Sequence, residues 1–272
     1  NLITWISKSI NSPVLARWTI RQNGLHPRLL QQIEWQLERM DDLSGRARHV
    51  WNLILEHHRD PRNRQWNGAW FDLKRRVKVE GWNSSTLREL RRITTPQLHI
   101  GLPFGWRQSR PPSSSWDEIR LADLGHFELK LLDRHNERLE VPDAMLARVF
   151  RILESQLSLA SGLLGDIETV YFRTPSCYPK REAIGKERAS DAAEVMTWFV
   201  DLFDRMVSLR PMLAHAHAST WLASDPYFFR KLKLYAFSKR PAFRADYVAE
   251  ELLSFDQDTF WDADVARELF FL

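Results

Sequence analysis

Ala192-Ala193-Glu194-Val195-Met196-Thr197-Trp198-Phe199-Val200-Asp201-Leu202-Phe203-Asp204-Arg205-Met206-Val207-Ser208-Leu209 is apolar on nearly every side of a helix. A helix of that kind has no face to offer water and must be covered by other helices, so it predicts the centre of a bundle or solenoid. Pro211, two residues further on, breaks it. The neighbouring segments supply the cover. Met212–Leu222, Tyr227–Ser238 and Tyr247–Phe255 space their apolar residues as short helices, and a last helix begins near Asp262. Asp225-Pro226, Arg240-Pro241 and Asp256-Gln257-Asp258 separate them.

On the N-terminal side, Pro142-Asp143 opens a long helix carrying Met145, Val149, Ile152, Leu153, Leu157 and Leu159 as far as about Gly165. Thr174–Ala189, with Pro175, Pro179 and Gly185, reads as a loop. Four further helices precede. His26–Met40 aligns Leu29, Leu30, Ile33, Leu37 and Met40, with Pro27 suited to its first turn. Ser44 caps a second, with Val50, Trp51, Ile54 and Leu55 inward, and Asp60-Pro61-Arg62-Asn63 ends it. Asn67–Glu80 aligns Trp70, Leu73 and Val77 and stops at Gly81. Asn83-Ser84-Ser85 starts the fourth, with Leu87, Leu90 and Ile93 inward and Pro96 as its limit. Ile100–Ser115, rich in Pro, Gly and Ser, is loop, whereas His126–Leu132 half alternates and suggests a short strand. The expected fold is all-α: a HEAT-like helical-repeat array of irregular period, about 30–40 residues, with an irregular central loop region and one short strand or hairpin. The expected blocks are a basic helix-pair block at 1–99, a loop-rich insertion at 100–141 and a helical repeat block at 142–272.

Composition excludes several classes. Of 272 residues, 44% are hydrophobic and only 10 are Gly and 13 Pro, which rules out collagen-like and low-complexity chains. No apolar run reaches the roughly 18–20 residues of a membrane span. A single cysteine, Cys177, can build neither an internal disulfide nor a Cys-based zinc site, and a reducing cytoplasm is the expected compartment. The chain starts Asn1-Leu2-Ile3 without a secretory pattern and ends on the apolar Leu269-Phe270-Phe271-Leu272, so it is expected to be an internal piece of a longer protein. Residues 1–110 carry 19 basic and 9 acidic residues and residues 111–272 carry 20 and 26, an asymmetry that points to an electrostatic partner or to packing of one part on the other. Twelve Trp and fifteen Phe are many for this length, and most are expected inside, between helices.

Three groups of residues could carry function. Lys74, Arg75, Arg76 and Lys78 on one helix face Arg88, Arg91 and Arg92 on the next, after Arg59, Arg62 and Arg64, with Trp66, Trp70 and Trp82 interleaved. Two basic helices with aromatics suit phosphates and bases, or an acidic protein surface; a plain solvated face has the same composition. Trp106 and Trp116 in the Pro/Ser-rich loop are candidate interface anchors. Asp117 followed by Glu128-Leu129-Lys130 has the layout of a Mg²⁺-dependent nuclease, in which acids hold the metal and Lys steadies developing charge. The same residues also fit an exposed polar strand edge. His57-His58 and His215 with His217 lack the i,i+4 spacing of a helical zinc site, and no third ligand accompanies them. No Gly-rich phosphate loop and no G-x-S-x-G elbow occurs, and Cys177 has no histidine near it in sequence. No cofactor is expected.

Arg48-His49-Val50-Trp51-Asn52-Leu53-Ile54-Leu55-Glu56, Trp70-Phe71-Asp72-Leu73-Lys74, Glu80-Gly81-Trp82 and Leu87-Arg88-Glu89-Leu90 resemble the helical region that follows the sirtuin-like NAD-cleaving domain in some bacterial antiviral defence proteins. Tyr227–Leu272 is similar to the HEAT-type arrays of the same proteins. The likeness covers about a third of the chain and rests on helix-packing positions, so no active-site residue is carried over. It implies a non-catalytic sensor or scaffold. Such a body would bind a phage component or other domains of the same chain, or mediate assembly, including self-assembly of the parent protein, and would control a separate effector.

Overall fold

The computed structural model describes residues 5–6, 9–22, 24–59, 68–102, 115–131, 138–167, 174, 176–177 and 191–272, without the side chains of 59 and 191–193. Among the described residues the chain is mostly helical, with one small two-stranded sheet. Among the described residues, no helix is long and apolar enough to cross a membrane. The chain divides into two compact units, Asn1–Asn67 with Gln97–Lys130 and Ile167–Thr169, and Gly68–Pro96 with Leu131–Asp166 and Val170–Leu272.

The first unit contains α1 (Pro13–Ile20), α2 (Pro27–Arg39), α3 (Gly45–Arg59), β1 (Gln97–Gly101), a 3-10 turn at Trp116–Glu118, α6 (Leu121–Leu124) and β2 (His126–Lys130). Its core is α3, whose Ala47, Val50, Trp51, Ile54 and Leu55 are buried. Ser44 Oγ accepts the Ala47 N–H at 3.1 Å, the cap expected there. The Arg48 guanidinium donates to the Leu37 and Met40 carbonyls and so satisfies acceptors left open at the end of α2. Trp51 and Trp116 donate their indole N–H groups to the adjacent carbonyls of Ile10 and Asn11, each at 2.8 Å. Two rings distant in sequence thereby pin one short backbone segment.

β1 and β2 pair antiparallel, with Gln97 opposite Lys130 and His99 opposite Glu128. The half-alternating stretch at 126–132 is thus strand over His126–Lys130. Its partner β1 overlaps the start of the predicted loop at Ile100–Ser115, so the loop reading is corrected at Ile100 and Gly101. On β1, the Ile100 N–H donates to His57 Nδ1 at 3.3 Å, and the Leu98 carbonyl lies 3.2 Å from the same nitrogen. A helix side chain therefore stands where a further strand would otherwise pair.

The second unit contains α4 (Ala69–Glu80), α5 (Ser84–Thr94), α7 (Leu146–Asp166), α8 (Asp191–Leu209), α9 (Pro211–Ser219), α10 (Phe229–Phe237), α11 (Ala245–Leu253), α12 (Gln257–Phe260), a 3-10 turn at Ala263–Val265 and α13 (Ala266–Phe270). The all-round apolar segment is α8, and it packs on α7 and α9. Phe150 of α7 stacks on Phe199 at 4.3 Å, with Phe203 and Trp221 around the same cluster. Each such side chain, fully buried, contributes about 2–3 kcal/mol. The charged residues of the C-terminal half of α8 are matched. Asp201 takes Arg138, Asp204 takes Lys239 and the Tyr235 hydroxyl, and Arg205 donates to the Val141 carbonyl and to Asp143. Every residue of α10 is buried, and its three cations are matched: Arg230 on Asp262, Lys231 on the Thr174 carbonyl and Lys233 on Glu251.

Candidate functional site

The basic candidates on 74–92 all belong to the α4–α5 hairpin of the second unit. Trp70 and Leu73 turn inward from α4, and Trp70 meets Trp198 edge-on at 5.8 Å. Gly81 ends α4 at φ 70, a left-handed conformation that favours glycine. Asn83 then starts α5 with a capping box: its side chain accepts the Ser85 and Thr86 N–H groups, and the Asn83 N–H donates to Thr86 Oγ1 at 2.8 Å. Leu90, Ile93, Thr86 and Thr94 turn inward from α5. This leaves Phe71, Arg75, Lys78 and Val79 along the outer face of α4, and Arg88, Arg91 and Arg92 exposed on α5. Phe71 is 53% exposed and Val79 80%.

Residues 69–94 hold seven basic and three acidic residues. Each acid takes one arginine: Asp72 with Arg75 at 3.1 Å, Glu80 with Arg76 at 3.2 Å, and Glu89 with Arg92 at 2.6 Å. Hydrogen bonds from Arg76 and Arg92 hold Glu80 and Glu89 below the usual carboxylate range, and the same bonds raise the two guanidinium groups. Arg76 also donates to Ser85 Oγ at 2.8 Å and so ties α4 to α5. Lys78, Arg88 and Arg91 are exposed and make no ion pair among the described residues, so their charge is open to a partner. Lys74 is half-buried.

The other candidates are dispersed. Arg59 ends α3 in the first unit, and Arg62, Arg64, Trp66 and Trp106 lie outside the described residues. Trp116 is buried with its N–H bonded to Asn11, so the expected loop anchor is a packing residue. Trp70 is buried, and Trp82 is half-buried with its N–H held by the Glu140 carbonyl at 2.9 Å. Trp70 is therefore a packing residue and unavailable for stacking on bases, whereas Trp82 keeps part of its surface. The exposed ring is Phe71, which the sequence reading passed over because it neighbours the helix-packing Trp70.

Asp117 lies in the 3-10 turn, while Glu128 and Lys130 lie on β2 opposite His99 and Gln97. Among the described residues, no group of three His, Cys, Asp or Glu side chains could hold a metal ion. The histidines do gather: the His57 ring lies 5.0 Å from His58 and 5.5 Å from His99. His99 Nδ1 is buried without a hydrogen-bond partner among the described residues. Burial lowers the His99 pKa, with Lys130, His57 and His126 adding to the effect and Glu128 opposing it. His215 and His217 diverge as i,i+2 spacing requires. His215 Nδ1 sits 3.1 Å from the Ala242 carbonyl, whereas His217 Nδ1 sits 2.8 Å from Glu154, which also accepts from Trp221. Cys177 is buried, and its backbone N–H donates to Glu268 at 2.9 Å.

No protein-family model, curated protein or solved structure matches the chain.

Proposed function

We propose that this chain is a non-catalytic helical segment that binds a protein partner through the outer face of α4–α5. The observation that carries the reading is the combination on that face of three uncommitted cations, Lys78, Arg88 and Arg91, with the exposed apolar Phe71 and Val79. Apolar contact supplies affinity, and the cations steer and orient an acidic partner surface. A polyanion would use the cations alone and leave Phe71 and Val79 idle unless a base stacked on Phe71.

The wider role follows from the resemblance to the helical regions of bacterial antiviral defence proteins. In that reading the short helices continue a HEAT-like array, the segment works in the cytoplasm as sensor or scaffold, and a phage component or the assembled parent protein is what it recognises. Packed helices that shift when a partner prefers one arrangement would pass binding on to a separate effector domain.

A photo-crosslinking residue at Val79 tests this in cells expressing the parent protein, with the same residue at the exposed Val14 of α1 as control. Protein adducts from Val79 that are lost in a Lys78→Glu, Arg88→Glu, Arg91→Glu variant are expected. Adducts to nucleic acid would transfer the face to the nucleic-acid reading. Equal yields from Val79 and Val14 would remove the proposal.

A further inference from the structure

The C-terminal segment of the second unit also carries exposed apolar residues, and it is acidic. Leu253 is 86% exposed, Trp261 73% and Phe270 87%. Residues 245–272 contain eight acidic residues and one basic residue. Five of the acids are engaged within the unit. Asp246 pairs with Arg244, Glu251 with Lys233 and Asp262 with Arg230; Asp256 caps α12 through Thr259; and buried Glu268 accepts from Ser176 and Cys177. Glu250, Asp258 and Asp264 remain, exposed and without an ion pair among the described residues. Glu250 and Leu253 are three apart on α11, so acid and apolar group share a helix face.

The α4–α5 face carries the complementary set: three uncommitted cations beside two exposed apolar residues. We propose that the acidic, aromatic α11–α13 surface of one copy docks on the α4–α5 face of a second copy. This rests on the reading of α4–α5 as a binding face and names its partner. An acidic surface repels a polyanion, so α11–α13 calls for a basic partner, and the chain itself presents one. Both surfaces are exposed in the single copy, so neither is covered by the other. Because two different patches meet, the contact either repeats reciprocally about a two-fold axis or runs head-to-tail with one unmatched surface at each end. The reciprocal arrangement closes as a dimer, and the head-to-tail one builds rings or open chains; the limiting mass in sedimentation tells them apart.

Sedimentation velocity of the purified chain at rising concentration, in low and high salt, reads the association directly. The mean mass is expected to climb with concentration and to fall back in high salt. Reversing Lys78, Arg88 and Arg91 to Glu, or Glu250, Asp258 and Asp264 to Lys, weakens association on the order of tenfold or more. Combining both sets, or mixing the two variants, restores it. Trp261→Ala weakens association without altering net charge, and circular dichroism confirms that each variant is folded. A chain that stays monomeric at every concentration overturns the proposal, as does association indifferent to both reversals. If the purified chain is monomeric while Val79 still captures another protein in cells, only the self-docking fails. If Val79 captures nothing above the control, the α4–α5 reading fails as well.

Discussion

Trp51 is tied at both ends: its ring is fully buried in the first unit and its N–H is spent on the Ile10 carbonyl. Trp51→Phe strands that carbonyl and should cost about 1–2 kcal/mol, and Trp51→Ala about 3–5 kcal/mol by opening a cavity. Urea unfolding measures both, and equal losses would contradict the separate role of the indole N–H. His99 gives a pH dependence. Burial, then Lys130 and His57, lower its folded pKa below the unfolded value of about 6.5, so the unfolded chain takes up the proton first. The stability contributed by neutral His99 is present above that value and is lost as pH falls below it toward the folded pKa. The urea midpoint should therefore drop as pH falls from about 7.5 through 6.5 and below, and His99→Gln should flatten the drop. Sequence spacing disclosed that Trp51 lies inward. It did not disclose the histidine gathering, because His57 and His99 come from a helix and a strand more than forty residues apart.

The helices were readable because a buried stripe recurs every three to four residues and because Gly81, Asn83 and Pro211 mark boundaries by their own backbone chemistry. Strand β1 was not: five residues directly after Pro96 give too short an alternation, and the partner strand begins twenty-five positions beyond Gly101. The α4–α5 turn offers a test. Gly81→Ala meets no steric neighbour but must hold a left-handed φ, and it should cost about 1 kcal/mol. Asn83→Ala removes the acceptor of the capping box and should cost about 1 kcal/mol. Thermal unfolding of the two variants checks this, and a neutral Gly81→Ala would contradict the account of the turn. The cations of α10 behave differently. Lys233 is buried against Glu251, so Glu251→Ala leaves a buried charge and should destabilise more than Lys233→Met, which removes the charge with its stem retained. The reverse order in urea unfolding would contradict this.

The uneven charge of the whole chain was plain in the sequence, but which charges remain available was not. Asp72, Glu80 and Glu89 each consume an arginine of the basic hairpin, and Lys233, Arg230 and Arg244 consume acids of the C-terminal segment. The hairpin pairs are local, three or four apart on one helix, whereas only packing brings Lys233 to Glu251 and Arg230 to Asp262 and leaves Glu250, Asp258 and Asp264 unpaired among the described residues. Packing also took Trp70 and Trp116 out of the set of exposed anchors and brought Phe71 into it. The central claim is that the molecule acts by presenting the α4–α5 face to a protein. Crosslink yield at Val79, compared between the native chain and the Lys78→Glu, Arg88→Glu, Arg91→Glu variant of unchanged helicity, tests it most directly. The account predicts abundant protein adducts from the native chain and their near-complete loss in the variant. Yields that match those at Val14 and do not respond to the three reversals would contradict it.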